Sequence, residues 1–441
     1  MRKKLVRGLL AALPVGAAFL LGLSFDHVAL AARKPERYRP LDTFAAVLGH
    51  VENGYVEEVS QQELVYGAIE GMMGRLDPHS VFMRPELFKA MRDETSGEFD
   101  GLGLELTIRN EQLVVISPMA DSPGERAGIL PGDRLLSIDG APTRELSLVE
   151  AGRRLKGPAG SKAVLEIMRD GFNSPQKLTL LRDRIRVQSV EWRVLDGSRR
   201  YAYVRVKAFQ DRTDRALRKA LDDARAAVKG ELRGVVLDLR NDPGGLLDQA
   251  VRVADTFLAS GIIVTTEGRN RRTVEVEKAH EKETEPGYPL IVLVNKGTAS
   301  ASEIVAGALQ DHRRAVIMGT QTFGKGSVQS IIELEDGAGL KLTVARYYTP
   351  RHRSIQELGI TPDVMVADAS PPPRDDGPAE RDLKRHLRND GGERPRAPAQ
   401  GAGDDYQLRT ALDYLKAVDI FKGGDPAPSP PGAPGRSAGE G

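Results

Sequence analysis

Two short runs of branched aliphatic residues constrain this chain more than any other feature. Residues 234–239 (GVVLDL) and 290–294 (LIVLV) are too short for helices and nearly without polar alternation, so each reads as a strand covered on both faces. The first runs into RNDPGG at 240–245 and a helical pattern to about 259. The second runs into TASAS at 298–302 and a helical pattern over 301–310. Further strand-like runs follow at 262–266 and 315–318. Two strand–helix–strand units predict a parallel sheet with covering helices, whose chemistry lies beyond the strands' carboxyl ends. Both small-residue turns fall there.

Read singly, the residues in these turns have ordinary explanations. Ser300 and Glu303 fit S-x-x-E, a capping box that satisfies backbone N–H groups at a helix start. Lys325 stands between Gly324 and Gly326, as many solvated lysines do. Together they admit a sharper reading. A serine hydroxyl attacks only when a base takes its proton, and a lysine can do so only when burial keeps it neutral. Residues 319–325 also spell G-x-x-x-x-G-K, most of a P-loop. Gly326 stands where a hydroxyl is needed, and SVQSIIELE reads as a strand rather than the helix that cradles phosphate. Asp311 and His312 are adjacent on a helix and cannot face each other as a catalytic pair.

Composition removes other classes. A net charge of +1 with 5% aromatic residues gives no sign of nucleic-acid binding. With no cysteine, thiol proteases, thiolate metal sites and disulfides are excluded. The seven histidines show no ligand spacing, so neither metal nor cofactor is expected. At the N-terminus Arg2, Lys3, Lys4 and Arg7 precede an apolar run over 8–25, and Ala29-Leu30-Ala31 offers a cleavage site. This is the layout of a secretory signal peptide, with retention as an inner-membrane anchor the alternative. Both place the remainder in the periplasm or cell envelope.

Residues 298–329 (TASASEIVAGALQDHRRAVIMGTQTFGKGSVQ) resemble the catalytic block of the carboxy-terminal processing proteases, the tail-specific Ser–Lys peptidases. The resemblance implies Ser300 as nucleophile, Lys325 as general base and Gln329 as the residue that orients the lysine. Glu303 and Asp311 match acidic supporting positions. RNDPGGLLDQAV resembles the family's oxyanion segment and implies the amide of Gly245, with Gly244 as the alternative, paired with that of Ala301. Asp242 replaces the family's commoner asparagine, and a carboxylate near an oxyanion is expected to face outward.

Gly101-Leu102-Gly103-Leu104 with AGILPGDRLLSIDG resembles a PDZ domain. That implies capture of a free C-terminal carboxylate on the backbone of residues 101–104, with Leu102 and Leu104 against an apolar last side chain. SLVEAGRRL, with Arg153 and Leu155, would border the groove. Asp100 stands where the family more often has glycine, and Arg169 reads as a surface arginine. GMMGRLDPHSVFMRPE resembles the segment before the PDZ domain, and such helical arms imply a homodimer or higher homo-oligomer. Residues 340–364 resemble the family's closing segment, which supplies strands and a rim to the site.

The expected fold is a multidomain α+β chain. It comprises a leader or anchor (1–31), a helical arm (36–95), a β-rich PDZ domain (96–184), an α/β protease core of the crotonase or ClpP-like βαβ kind (185–366) and a mostly disordered tail with a helix near 404–421 (367–441). The expected function is that of an exported serine endopeptidase acting on proteins with apolar free C-termini, aided by an adaptor or activator. The alternative is an inactive PDZ adaptor of the cell envelope, against which the joint presence of Ser300, Lys325 and Gln329 argues.

Overall fold

The computed structural model describes residues 39–144, 146–195, 200–228, 231–367 and 405–422, and its contacts divide the chain into two units at Arg84 and Pro85. The expected leader, 1–31, and the tail stretch 368–404 lie outside the described residues. The first unit holds helices α1 (Arg39–Gly54) and α2 (Gln61–Met73) and strand β1 (Val81–Met83). Ser60 caps α2, its hydroxyl accepting the Glu63 N–H at 3.5 Å. Tyr66 and Phe82 pack edge to face with centroids 5.0 Å apart, and Arg84 pairs with Glu63 and Glu70 at 2.8 and 3.0 Å.

The boundary between the two units, at Arg84, falls inside the arm expected to reach residue 95. Helix α3 (Pro85–Ser96) belongs to the second unit, where Phe88 is buried so tightly that a Cβ on Gly339 would stand 2.1 Å from its ring. The fit of this aromatic side chain to Gly339 ties α3 to the second unit, and helical periodicity carries no trace of it.

The β-rich domain expected to be a PDZ domain follows as β2 (Glu98–Gly101), β3 (Leu104–Arg109), β4 (Gln112–Pro118), α4 (Pro123–Arg126), β5 (Arg134–Ile138), β6 (Ala141–Pro142), α5 (Leu148–Leu155), β7 (Lys162–Met168), β8 (Gln176–Leu181) and β9 (Asp183–Arg186). Its sheet runs β3-β4-β5-β7-β8, with neighbours antiparallel. Inward residues such as Leu113, Leu135, Leu165 and Ile167 form the core, closed by Ala151 and Leu155 of α5. Strands β2 and β9 pair with each other, so the chain enters and leaves the domain along one two-stranded ladder.

The third part contains β10 (Val190–Leu195), β11 (Tyr201–Val206), α6 (Thr213–Val228), β12 (Gly234–Asp238), α7 (Leu247–Asp255), β13 (Ile262–Glu267), β14 (Thr273–Lys278), β15 (Leu290–Val294), α8 (Ala301–Asp311), β16 (Val316–Gly319), β17 (Ser327–Glu333), β18 (Gly339–Tyr348), β19 (Val364–Met365) and α9 (Tyr406–Phe421). Strands β12 and β15 are buried at every residue, including Asp238 at the end of β12, as their nearly continuous apolar sequences suggest. They form the centre of the sheet β10-β11-β12-β15-β16-β19, parallel from β11 onward with β10 antiparallel at the edge. Helices α6, α7 and α8 cover one face. Leu408, Ala411 and Leu415 of α9 cover the other.

One strand goes elsewhere than expected. The run at 262–266 does not join the parallel sheet; as β13 it pairs antiparallel with β14 and β18, and β18 pairs with β17. β13 is buried at Ile263, Val264 and Thr266 only, whereas β12 and β15 are buried throughout.

Candidate active site

The turn between β15 and α8 is held from several sides. Thr298 donates its hydroxyl to the Leu239 carbonyl at 2.8 Å, linking this turn to the one that follows β12. Ser300 comes next with φ 59° and ψ −115°, a backbone region costing a residue with a side chain about 1–3 kcal/mol. The chain turns sharply there, and the serine faces a cleft of about 320 Å³ at the carboxyl edge of the sheet. Strained strand-to-helix turns of this kind lift a nucleophile clear of its own backbone.

Glu303 is the fully buried hub of this region. Its carboxylate accepts the Ser300 N–H at 2.8 Å, as half of a capping box would. It also accepts the Thr322 hydroxyl at 2.6 Å and the amides of Gly324 and Lys325 at 2.7 and 2.9 Å. Burial pushes its pKa upward while these donors pull the other way. Four donors on one acceptor fix the Gly-Lys-Gly loop against the serine turn. Gly324, at φ 95°, lies so close to the 357–359 backbone that a Cβ would meet it at 3.0 Å. The loop then enters β17, not a helix, so the P-loop spelling has no phosphate cradle.

Lys325 lines the same cleft as Ser300, together with Gly244, Gly245, Ala301 and Gln329. Gly244 has φ 99° and is wedged against the serine turn, where a Cβ would stand 2.8 Å from the Ala301 nitrogen. Its N–H is taken by the Asp242 carboxylate at 2.8 Å. Among the described residues, no acceptor pairs with the N–H of Gly245 or of Ala301. Of the two glycines, Gly245 therefore has the donor to offer. The outward orientation expected of Asp242 is wrong: the residue is wholly buried. The serine turn closes over it, with its carbonyl accepting the Ala299 N–H and the Ser302 hydroxyl.

Other expected residues divide between cleft and scaffold. The Gln329 amide nitrogen donates to the hydroxyls of Ser327 and Thr343 at 2.9 and 3.3 Å. Asp311 does not line the cleft; at the far end of α8 it binds Arg353 at 2.6 Å and the Arg351 N–H at 2.9 Å. Tyr347 was not among the sequence candidates, yet its buried hydroxyl donates to the Lys325 carbonyl and also meets the Ser300 hydroxyl. Its signal was the period-two alternation of β18, which puts Ala345 and Tyr347 inward.

In the β-rich domain Gly103 takes φ 68° with Ser122 packed so close that a Cβ there would stand 2.3 Å from that of Ser122. The side chain of Leu102 is buried in the domain core rather than free to meet an apolar last side chain, contrary to expectation. Leu155 is likewise a core residue. Asp100 pairs with Arg184 at 3.0 Å across the β2–β9 ladder. Arg169 is no plain surface residue: it grips the buried Asp133 carboxylate with two bonds, at 2.6 and 2.7 Å. Among the described residues no cluster of three or more His, Asp or Glu is placed to hold a metal ion.

The family models agree with this layout. The model of peptidase family S41 matches residues 200–366, a PDZ domain model matches 114–169, and the N-terminal domain model of the activating protease CtpB matches 28–87. A carboxy-terminal-processing protease of Bartonella bacilliformis is 43% identical over 86% of this chain and 89% of its own. This chain belongs to the carboxy-terminal processing proteases. A carboxyl-terminal-processing protease of Synechocystis is 43% identical over 69% of this chain and 71% of its own. Among solved structures, a photosystem II D1 C-terminal processing protease aligns with 31% identity and a TM-score of 0.44, over 74% of this chain and 92% of its own. The family assignment makes the chain a serine peptidase with a PDZ domain.

Proposed function

We propose that this member is an exported endopeptidase that takes apolar free C-termini into its PDZ domain and cuts the bound protein by a Ser300–Lys325 mechanism. The carrying observation is the cleft, which combines a strained Ser300, Lys325 and two amides without acceptors. The substrate's terminal carboxylate docks on the backbone of residues 101–104, and its extended chain reaches the cleft. Neutral Lys325 takes the proton of Ser300 as Oγ bonds to the scissile carbonyl carbon. The amides of Gly245 and Ala301, the latter at the positive end of α8, hold the oxyanion. Lys325 returns the proton to the leaving amine, and water then releases the acyl group from Ser300. Gln329 keeps the lysine oriented.

Export is supported by the basic start, the apolar run over 8–25 and the Ala29-Leu30-Ala31 site. An adaptor or activator that relieves latency completes the set of partners.

The test mixes an unfolded protein bearing an apolar free C-terminus with the full chain and follows it by intact mass. Lys325→Ala lowers turnover about 10³-fold or more, and Ser300→Ala does the same, because the pair acts as one unit. Equal cleavage by wild type and Lys325→Ala would sink the lysine-base mechanism. Binding of the tail with cleavage by neither would favour an adaptor.

A further inference from the structure

The amides of Gly245 and Ala301 belong to turns that follow different strands, β12 and β15. An oxyanion pocket built from both works only if their separation is held within about 0.5 Å. Asp242 touches both turns. Its Oδ1 accepts the Gly244 N–H at 2.8 Å, which braces Gly244 in its positive-φ turn immediately before Gly245. Its backbone carbonyl accepts the Ala299 N–H at 3.0 Å and the Ser302 hydroxyl at 3.1 Å, on either side of Ser300 and Ala301. The side chain is fully buried, and its Oδ2 has no hydrogen-bond partner. The charge that acts on it is Arg205 of β11, whose buried Nε is also without a partner. A carboxylate buried with so little compensation is a poor stabiliser, so its placement calls for another explanation.

We propose that Asp242 is a positioning residue for the oxyanion pocket, its carboxylate bracing the Gly244–Gly245 turn while its carbonyl braces the start of α8, so that one residue sets the distance between the two amides. The inference rests on Ser300 being the nucleophile. What the bracing requires of the side chain is an acceptor oxygen where Oδ1 lies. An asparagine keeps that oxygen without the charge; an alanine removes it and leaves the Gly244 N–H unpaired.

The experiment compares wild type, Asp242→Asn and Asp242→Ala in the full chain. It reads the rate of Ser300 acylation by a fluorophosphonate, and kcat and KM on a protein with an apolar C-terminus. Asp242→Ala is expected to lose on the order of 10²-fold in acylation rate and kcat with KM changed less than about 3-fold, the signature of a weakened oxyanion donor. Asp242→Asn is expected to stay within about 5-fold of wild type. If Asp242→Ala acylates as fast as wild type, or Asp242→Asn is as crippled as Asp242→Ala, the positioning role is overturned while the serine reading stands. A wild type that is never labelled at Ser300 overturns both. Should Asp242→Ala fail to fold, selective ¹⁵N-glycine labelling decides: slow amide exchange at Gly244 in wild type and Asp242→Asn supports the brace, and exchange as fast as at Gly245 overturns it.

Discussion

A carboxylate sealed from water with one hydrogen bond prefers to be an acid. Burial pushes Asp242 up to about 7, although the Gly244 N–H and the Arg205 charge pull it down. In an unfolded chain an aspartate titrates near 3.9. Between those values the folded state binds the extra proton, so the stability this group contributes is fully present below about pH 4 and is lost as pH rises through 7. Asp242→Asn removes that dependence. The stability of Asp242→Asn relative to wild type should therefore rise by about 2–3 kcal/mol between pH 5 and pH 8, measured by urea unfolding. A difference independent of pH would mean that Asp242 does not titrate in this window. Glu303, equally buried, is also pushed up by burial, although four donors to its carboxylate pull against that.

Helix α1 poses a question at the scale of an element. None of its described side chains is buried, and Leu41, Phe44 and Val47 are 57%, 42% and 56% exposed. A helix of 16 residues with no buried side chain among those described is marginal in water by itself, and its exposed apolar residues suit a partner surface. A second copy of the same arm is the partner expected of a homodimer. Changing both Phe44 and Val47 to Glu should weaken dimerisation at least about 10-fold, seen as a shift toward monomer mass in light scattering at micromolar concentration. An unchanged mass would remove α1 from the interface.

For the whole molecule the decisive arrangement is a sheet covered on both faces. Helix α9 covers the face opposite α6, α7 and α8 and seals Val236, Ile291, Leu293 and Met318. Polar ties hold it there as well. Arg233 pairs with Asp419 at 3.0 Å, and Arg240, which begins the RNDPGG turn, joins Asp238 to Asp405. The fit at Leu415 is close enough that a Cβ on Gly234 would stand 2.9 Å from it. Leu415→Ala should cost about 2–5 kcal/mol, read from the urea midpoint with an unchanged m-value. A loss below about 0.5 kcal/mol would show that α9 contributes little to the fold. The PDZ domain is attached differently, through the β2–β9 ladder, which carries the chain into the domain and back.

Local chemistry determined a good deal of this protein. Short, nearly continuous apolar runs marked buried strands, and β12 and β15 are that. Small-residue turns after them had to lie at the sheet's carboxyl edge, and Ser300 and Gly245 line one cleft there. Period-two patterns and glycine turns likewise marked the β-rich domain. What sequence could not supply was partners distant along the chain. That β13 leaves the parallel sheet, that Phe88 seats α3 on Gly339, and that Tyr347 reaches Ser300 all depend on contacts between segments far apart in sequence. Glu303 read as a cap because its local partner, the Ser300 N–H, is three residues away; its other partners arrive only when the 322–325 loop folds back. Asp242 was misjudged for the same reason. Whether a carboxylate faces water or a glycine amide is decided by what packs over it, and here that is the serine turn itself.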